Sequence, residues 1–357
     1  MYKNLRVVPQ LIFGRGALAQ LGDVLAKRRT DSGSPVVFLI DDVHEHKPWV
    51  RALPVRANDL IIFVSAEHEP KTRYVDELTL RVKEFSNRPP DGLVGIGGGT
   101  TMDLAKAVAL MLTNPGSAAD YQGWDLVKYP GIYKIGIPTL AGTGAEVSRT
   151  TVLTGPTRKL GINSDFTPFD QILMDADLIA DAPDDQRFYT AMDSYIHAAE
   201  SLRGTFINEF ARGFAEKSQD MCREVFLGDL PRAVADEKLM VASYLGGLSI
   251  AYSQVGVAHA LSYGLSFVLG TRHGIGNCIV FDQIKEYYPE DVREFRQMLA
   301  RNRITLPRGL CARLTEQQMS EMVRVALSLG PLWENALGPD WKQRMTPEKC
   351  RELYLRM

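Results

Sequence analysis

A parallel α/β sheet domain followed by an all-helical domain is the fold class this sequence predicts, and three observations predict it. Short continuous apolar runs alternate with amphipathic stretches through the first half of the chain. After about residue 175 strand signals nearly vanish and helical periodicity takes over. At 357 residues the chain has the length for two domains with sizeable cores, expected at 1–180 and 181–357.

The strands come first. Pro35-Val-Val-Phe-Leu-Ile40, Leu60-Ile-Ile-Phe-Val64 and Gly92-Leu-Val-Gly-Ile96 are apolar on both faces rather than alternating. Between the last two lies Thr72–Phe85, with apolar residues at helical spacing. Strands apolar on both faces, alternating with amphipathic helices, are those of a parallel sheet covered on both sides. Lys134-Ile-Gly-Ile137, the short runs Val152-Leu153 and Arg158–Ile162, and Gln171-Ile-Leu-Met174 complete the strand signals. Asp175–Pro183 reads as the linker. Beyond it, Thr190–Leu202, Glu209–Leu227, Glu237–Val255 and Thr315–Leu329 read as helices, and Thr346-Pro347 as a further helix start with Thr as N-cap.

Composition narrows the function class. The chain is 45% hydrophobic and 24% charged, as globular proteins are. A formal net charge of −2 gives no general attraction to nucleic acid or to anionic membranes. The four cysteines, Cys222, Cys278, Cys311 and Cys350, form no Cys-x-x-Cys pair. That argues against a thiolate zinc site or a disulfide framework, and fits a reducing, cytoplasmic compartment. Met1–Pro9 lacks the apolar core of a signal peptide, and no apolar run approaches the ~20 residues of a membrane span.

Two loops at strand ends are candidates for binding a phosphate-bearing cofactor. The Gly92–Ile96 strand runs into Gly97-Gly98-Gly99-Thr100-Thr101-Met102-Asp103 and then the helical Leu104–Leu112. Glycines there let a phosphate approach the backbone, and the following helix offers free N–H groups and a positive dipole end. The plainer alternative is a purely steric turn, and the spacing is not Gly-x-Gly-x-x-Gly. The second loop, Pro138-Thr139-Leu-Ala-Gly-Thr143-Gly-Ala-Glu146-Val-Ser148, is rich in hydroxyls that can bond phosphate, ribose or an amide. It also reads as a capping box, Thr143-x-x-Glu146, at a helix start. Lys159 is available to ribose or phosphate, or is an ordinary hairpin lysine.

In the second half, Asp193 and His197 are four residues apart, which on a helix places both side chains on one face. Their surroundings are small and apolar, so both face burial, and an unpartnered buried polar group is costly. A divalent cation resolves this by taking carboxylate oxygen and neutral imidazole nitrogen as ligands. An Asp/His pair alone is more often a hydrogen bond. The histidine count shifts the balance: of six in the chain, those after residue 70 are His197, His259 and His273.

At these residues the sequence resembles the iron-containing, or group III, metal-dependent alcohol dehydrogenases. Gly97–Lys106, Pro138–Ser148, Met192–Glu200, and the His259-Ala-Leu-Ser and Arg272-His273-Gly-Ile-Gly-Asn277 segments match that family in order, over nearly the whole chain. The resemblance implies a Rossmann-like amino-terminal domain, a helical carboxy-terminal domain of the dehydroquinate synthase-like architecture, and a catalytic cleft between them. It implies Asp193, His197, His259 and His273 as ligands of Zn2+ or Fe2+. It places Gly97, Gly98, Gly99, Thr100, Asp103, Thr139, Thr143, Ser148 and Lys159 at or near the dinucleotide. The acid after the strand ending at Ile40 takes the adenine ribose hydroxyls; Asp42 fits that place, with Asp41 its neighbour, and an anion there favours NAD over NADP. The expected partners are a small-molecule alcohol and a second copy of the chain, as a homodimer.

One position departs from the family. Many members carry a histidine four residues after the third ligand, where this chain has Tyr263. Tyr263 relays the substrate proton or bonds substrate in one reading, and is a packed tyrosine in the other. Within the family the overall likeness runs toward oxidation of a primary alcohol of a bacterial sugar acid, the C8 hydroxyl of 3-deoxy-manno-octulosonate. Arg149 and Arg203 are the candidate partners of its carboxylate, with interdomain or surface ion pairs as their plainer role. The alternatives are a general alcohol or polyol dehydrogenase, a carbon–oxygen lyase like the dehydroquinate synthases, and a non-catalytic nucleotide- and metal-binding protein.

Overall fold

The computed structural model describes residues 6–30 and 33–357; of the stretch read for a signal peptide, Met1–Leu5 lie outside them. The chain divides into two compact units, one of residues up to Leu140 plus Ala145–Asp181, the other of Ala141–Gly144 plus Ala182–Met357.

The first unit contains β1 (Gln10–Phe13), α1 (Leu21–Ala26), β2 (Val36–Asp41), α2 (Pro48–Arg51), β3 (Leu60–Val64), α3 (Thr72–Phe85), β4 (Gly92–Gly97), α4 (Gly99–Met111), β5 (Gly123–Trp124), β6 (Lys134–Pro138), β7 (Thr150–Thr154), β8 (Lys159–Asn163) and β9 (Gln171–Met174). Six strands form a parallel sheet in the order β1-β9-β6-β4-β2-β3, and β5, β8 and β7 form a second, smaller sheet. The apolar runs are continuous because both sheet faces are buried. Val36, Phe38 and Ile40 of β2, Val94 and Ile96 of β4, and Ile135 and Ile137 of β6 join one core cluster with Leu21, Val24 and Leu25 of α1. The alternate residues turn the other way. There α4 lies so close that a β-carbon at Gly95 would stand 2.5 Å from that of Ala105.

The strand order fixes where a ligand fits. The chain passes from β2 outward to β3, then crosses back over β2 to lay down β4 on its other side. The reversal falls between β2 and β4, and ligands of open α/β sheets bind at such a switch point, outside the strands' carboxyl ends.

The second unit has helices as its regular elements among the described residues: α5 (Asp184–Arg203), α6 (Glu209–Phe226), α7 (Arg232–Tyr252), α8 (Val257–Leu269), α9 (His273–Gln283), α10 (Pro289–Arg301), α11 (Glu316–Leu327), α12 (Gly330–Leu337), α13 (Trp341–Arg344) and α14 (Pro347–Tyr354). Helix α5 is buried along most of its length and packs against α6, α7 and α9, while α8 packs against α9 and α11. Thr346 caps α14 by accepting a hydrogen bond from the Lys349 amide, with Pro347 at the first helical position, as the sequence predicts. No described helix is long and apolar enough to cross a membrane.

Two sequence expectations need correction, and one strand went unread. Helix α4 begins at Gly99, so Thr100–Asp103 occupy its first turns rather than a preceding loop. The Thr143/Glu146 capping box does not form, because Thr139–Arg149 contains no helix. Gly142 and Gly144 there have φ of +146° and +62°, which a right-handed helix excludes. Strand β1 carried no sequence signal: it is a four-residue edge strand, largely exposed, with no buried face to impose a pattern.

Candidate functional site

Helix α5 presents Asp193 and His197 on one face, α8 presents His259, and α9 begins with His273. One donor atom from each lies within 4.8 Å of every other. Asp193 is the hub. Its Oδ1 is 3.4 Å from His259 Nε2 and 3.7 Å from His197 Nε2, and its Oδ2 is 3.4 Å from His273 Nε2. Donors about 2.1 Å from one tetrahedral ion stand about 3.4 Å apart, so these separations suit a single shared cation. The His197 and His259 rings stack at 4.8 Å. Only His273 of the four has appreciable exposure, its side chain 23% accessible, so the cluster meets solvent on that side.

The electrostatics agree with a cation site. Burial would raise the Asp193 carboxyl, but the surrounding imidazoles outweigh it and hold the group ionised well below its usual range. Burial pushes His197 down to about 3, so it is neutral, as a metal ligand must be. Burial also acts to lower His259, but the Glu200 carboxylate and then Asp193 reverse this and raise it to about 9, so a cation bound there would have to displace a proton from this ring. Asp193 Oδ2 is buried without a hydrogen-bond donor. One carboxylate and three imidazoles are the donors zinc and iron(II) take, and the set fits either.

Two residues quoted in the matched segments, but given no role there, complete the surroundings. Glu200, one turn beyond His197 on α5, is buried with its Oε2 2.5 Å from His259 Nδ1. Asn277, one turn into α9, donates from Nδ2 to Asp193 Oδ1 at 2.7 Å, and the same nitrogen is 3.0 Å and 3.2 Å from Nε2 of His259 and His273. The i, i+4, i+7 series Asp193, His197, Glu200 was the available signal for Glu200, and the i, i+4 relation to His273 that for Asn277. The Tyr263 ring is 5.9 Å from the His273 ring and 6.5 Å from that of His259, so it borders the cluster.

In the α/β unit the cofactor candidates divide into two groups. Gly97 ends β4, Gly98 is the N-cap of α4, and Gly99 and Thr100 form its first turn, where backbone N–H groups have no helical acceptor. Gly97 must be glycine: a β-carbon there would come 2.6 Å from Cβ of Thr101 and 2.9 Å from Cβ of Asp41. Thr139 follows β6, donates its amide to Gly97 O, and its hydroxyl is 2.9 Å from His44 Nε2. These residues line the carboxyl edge at the switch point. Asp41 stands there too, buried at the end of β2, whereas Asp42 is exposed in the following turn. Of the two acids, Asp41 is the one beside the glycine turn.

The second group is engaged within the fold. Asp103 pairs with the fully buried Lys106 at 3.0 Å and accepts from the Val152 amide, fastening α4 to β7. Lys106 also donates to Ser148 Oγ at 3.0 Å. Lys159, equally buried, pairs with Glu69 at 2.7 Å. Thr143 lies in the 141–144 segment that belongs to the helical unit. Of the two arginines, Arg149 binds Asp165 at 2.8 Å and also Asp125, and Arg203 pairs with Asp291 at 3.2 Å and Glu290 at 4.0 Å. Both show the plainer ion-pair role.

Comparison with known proteins agrees over most of the chain. The family model described as iron-containing alcohol dehydrogenase matches residues 9–176, and that of the Fe-containing alcohol dehydrogenase family C-terminal region matches 187–326. The NAD-dependent methanol dehydrogenase of Bacillus methanolicus is 29% identical over 291 residues, 77% of this chain and 73% of that protein. The choline dehydrogenase of Bacillus subtilis is 27% identical over 369 aligned residues, 97% of this chain and 88% of that protein. Among solved structures, sulfoacetaldehyde reductase from Bifidobacterium kashiwanohense in complex with NAD+ superposes with a TM-score of 0.78 at 21% identity, covering 99% of this chain and 98% of that one.

Proposed function

This chain belongs to the iron-containing alcohol dehydrogenase family, and from that premise we propose that it interconverts a primary alcohol and its aldehyde with NAD, at a divalent cation held by Asp193, His197, His259 and His273. It is an oxidoreductase acting on CH–OH groups. The observation that carries the site assignment is the convergence of one carboxylate and three imidazoles within 4.8 Å on three buried helices.

A cation at that site supplies Lewis-acid polarisation of a substrate oxygen. The protein's own part is to hold and orient. Asp193 would bring the negative charge that imidazole ligands, which bind in their neutral form, lack. Burial of Asp193, His197 and His259 keeps bulk water from the ligands, and the partial exposure of His273 leaves an approach for substrate. In the α/β unit, Gly97–Thr100 at the start of α4 offer backbone N–H groups to the cofactor's phosphates. Asp41 at the same edge is the acceptor proposed for the adenine ribose hydroxyls. The cofactor is the hydride acceptor, and the chain places it.

Family membership leaves the substrate's charge open, since the relatives' names cover neutral methanol, cationic choline and anionic sulfoacetaldehyde. The narrower proposal, a sugar acid oxidised at its primary C8 hydroxyl, therefore rests on the overall likeness of the sequence. Arg149 and Arg203 add little to it, because each already has two carboxylate neighbours. The test is a screen of alcohols, polyols and sugar acids for NADH formation, with apo-protein supplied with zinc or iron(II). A carbon–oxygen lyase or a non-catalytic binding protein would accumulate no NADH with any of them. Equal kcat/KM for a sugar acid and its uncharged analogue would remove the narrower proposal and leave a general alcohol dehydrogenase.

A further inference from the structure

We propose that Glu200 is a positioning residue of the metal centre: it fixes His259 in the tautomer with its proton on Nδ1, and so turns a bare Nε2 toward the donor cluster. The inference rests on the metal-centre reading above and deepens it.

Glu200 shares the α5 face of Asp193 and His197, and its side chain is fully buried. A buried carboxylate needs partners, and Glu200 has them from one helix. Its Oε1 accepts the amide of Ala258 at 2.6 Å and that of His259 at 3.4 Å, and its Oε2 lies 2.5 Å from His259 Nδ1. Helix α8 starts at Val257, so these amides belong to its first turn, where N–H groups lack helical acceptors and the helix dipole favours an anion. The approach is close: a β-carbon at Gly256, the N-cap, would stand 3.4 Å from Glu200 Oε1.

Two amides of the α8 terminus thus donate to Oε1, so Glu200 sits here as an acceptor, and a carboxylate oxygen facing a ring nitrogen accepts its N–H. The hydrogen shared with His259 then resides on Nδ1, and the lone pair is left on Nε2, the atom 3.4 Å from Asp193 Oδ1. A single side chain thus caps the helix that carries a ligand and sets which nitrogen of that ligand faces the cation. His197 contrasts with this, its Nδ1 being buried without a hydrogen-bond partner.

Glu200→Gln separates the two roles. The glutamine oxygen still caps α8, but its amide nitrogen donates toward Nδ1 and drives the ring proton onto Nε2, where it blocks the cation. We expect zinc and iron(II) affinity to fall about 10- to 100-fold, read by competition with a chromophoric chelator, with the circular dichroism of the wild type retained. A second measurement needs no variant. In zinc-loaded wild-type protein with 15N-labelled histidine, NMR should show His259 protonated at Nδ1 and coordinated through Nε2. Wild-type affinity in Glu200→Gln, or coordination of His259 through Nδ1, overturns the role of Glu200 and leaves the metal centre standing. Wild-type protein that takes up neither zinc nor iron(II) overturns the metal centre and this inference with it.

Discussion

Adding one methyl group to Gly142 should disable the metal centre without touching a ligand. Gly142 lies in the 141–144 segment that packs into the helical unit, and its φ is +146°. A β-carbon there would overlap the carbonyl of Thr190 and stand 2.8 Å from Cα of Ala191, both on α5 and within one turn of Asp193. A non-glycine residue in that backbone region costs about 1–3 kcal/mol. Relieving the overlap by moving packed backbone costs about another 1–3 kcal/mol. Gly142→Ala should therefore lose roughly 2–6 kcal/mol of stability, or shift the start of α5 by on the order of 1 Å. A misplacement of about 1 Å at a reacting centre is enough for about a hundredfold loss in rate. The control is Gly213→Ala in α6, an exposed position where a β-carbon meets nothing within 4 Å. It should gain about 0.5–1 kcal/mol. Thermal unfolding, bound metal by elemental analysis and kcat/KM are measured for both variants. If Gly142→Ala unfolds at the wild-type temperature with full metal and full activity, the close approach of the loop to α5 does not constrain the site.

His259→Ala and His273→Ala should each lose bound metal and nearly all turnover while keeping the circular dichroism of the wild type; wild-type metal stoichiometry in both would sink the four-ligand site. Asp41→Gly should lower the NAD/NADP ratio of kcat/KM about tenfold or more, as loss of a charged hydrogen bond implies, and Asp42→Gly should leave it within about twofold; the reverse pattern would return the ribose contact to Asp42. Asp59 tests the sheet edge: it accepts from both Arg29 nitrogens at 2.9 and 2.6 Å and from the amides of Val36 and Arg56, and although burial acts to raise its carboxyl, these bonds hold it below the usual range. A carboxyl lowered by folding contributes stability above its unfolded pKa of about 3.9, and that contribution is lost as pH falls through the folded value. Asp59→Asn should thus cost about 3–5 kcal/mol at pH 7, with the gap closing in acid; a gap of the same size at pH 7 and pH 3 would refute the pairing.

What the sequence reveals here follows from the range over which each signal acts. The sheet was legible because burial on both faces writes a continuous apolar run into each central strand, as in β2, β4 and β6. Edge strand β1 has no such burial and left no trace. Helix α3 was legible to the residue because its apolar spacing is local, whereas the start of α4 was read too late because Gly98 and Gly99 look like a turn until the helix is seen to begin on them. The Thr143/Glu146 signature failed for a related reason: a capping box is a local preference, and the positive φ of Gly142 and Gly144 is imposed by packing against residues far along the chain, Thr190 and Gly247. Of the four clustered residues, Asp193 and His197 were legible through their shared helix face, which is periodicity again, whereas His259 and His273 were reached through the histidine count and the family resemblance. Partners across helices were not found. Lys159 meets Glu69 across 90 residues and His259 meets Glu200 across 59, and no spacing rule links such pairs. Yet Glu200 had one local mark. It is an acid on the ligand face of a buried helix, three residues beyond His197, where solvent cannot reach it. A carboxylate so placed must be held by something, and beside a metal centre that something is a ligand's second nitrogen or a helix end. In this protein it is both, so the acid with no role in the sequence reading is the one whose removal should separate helix capping from metal binding.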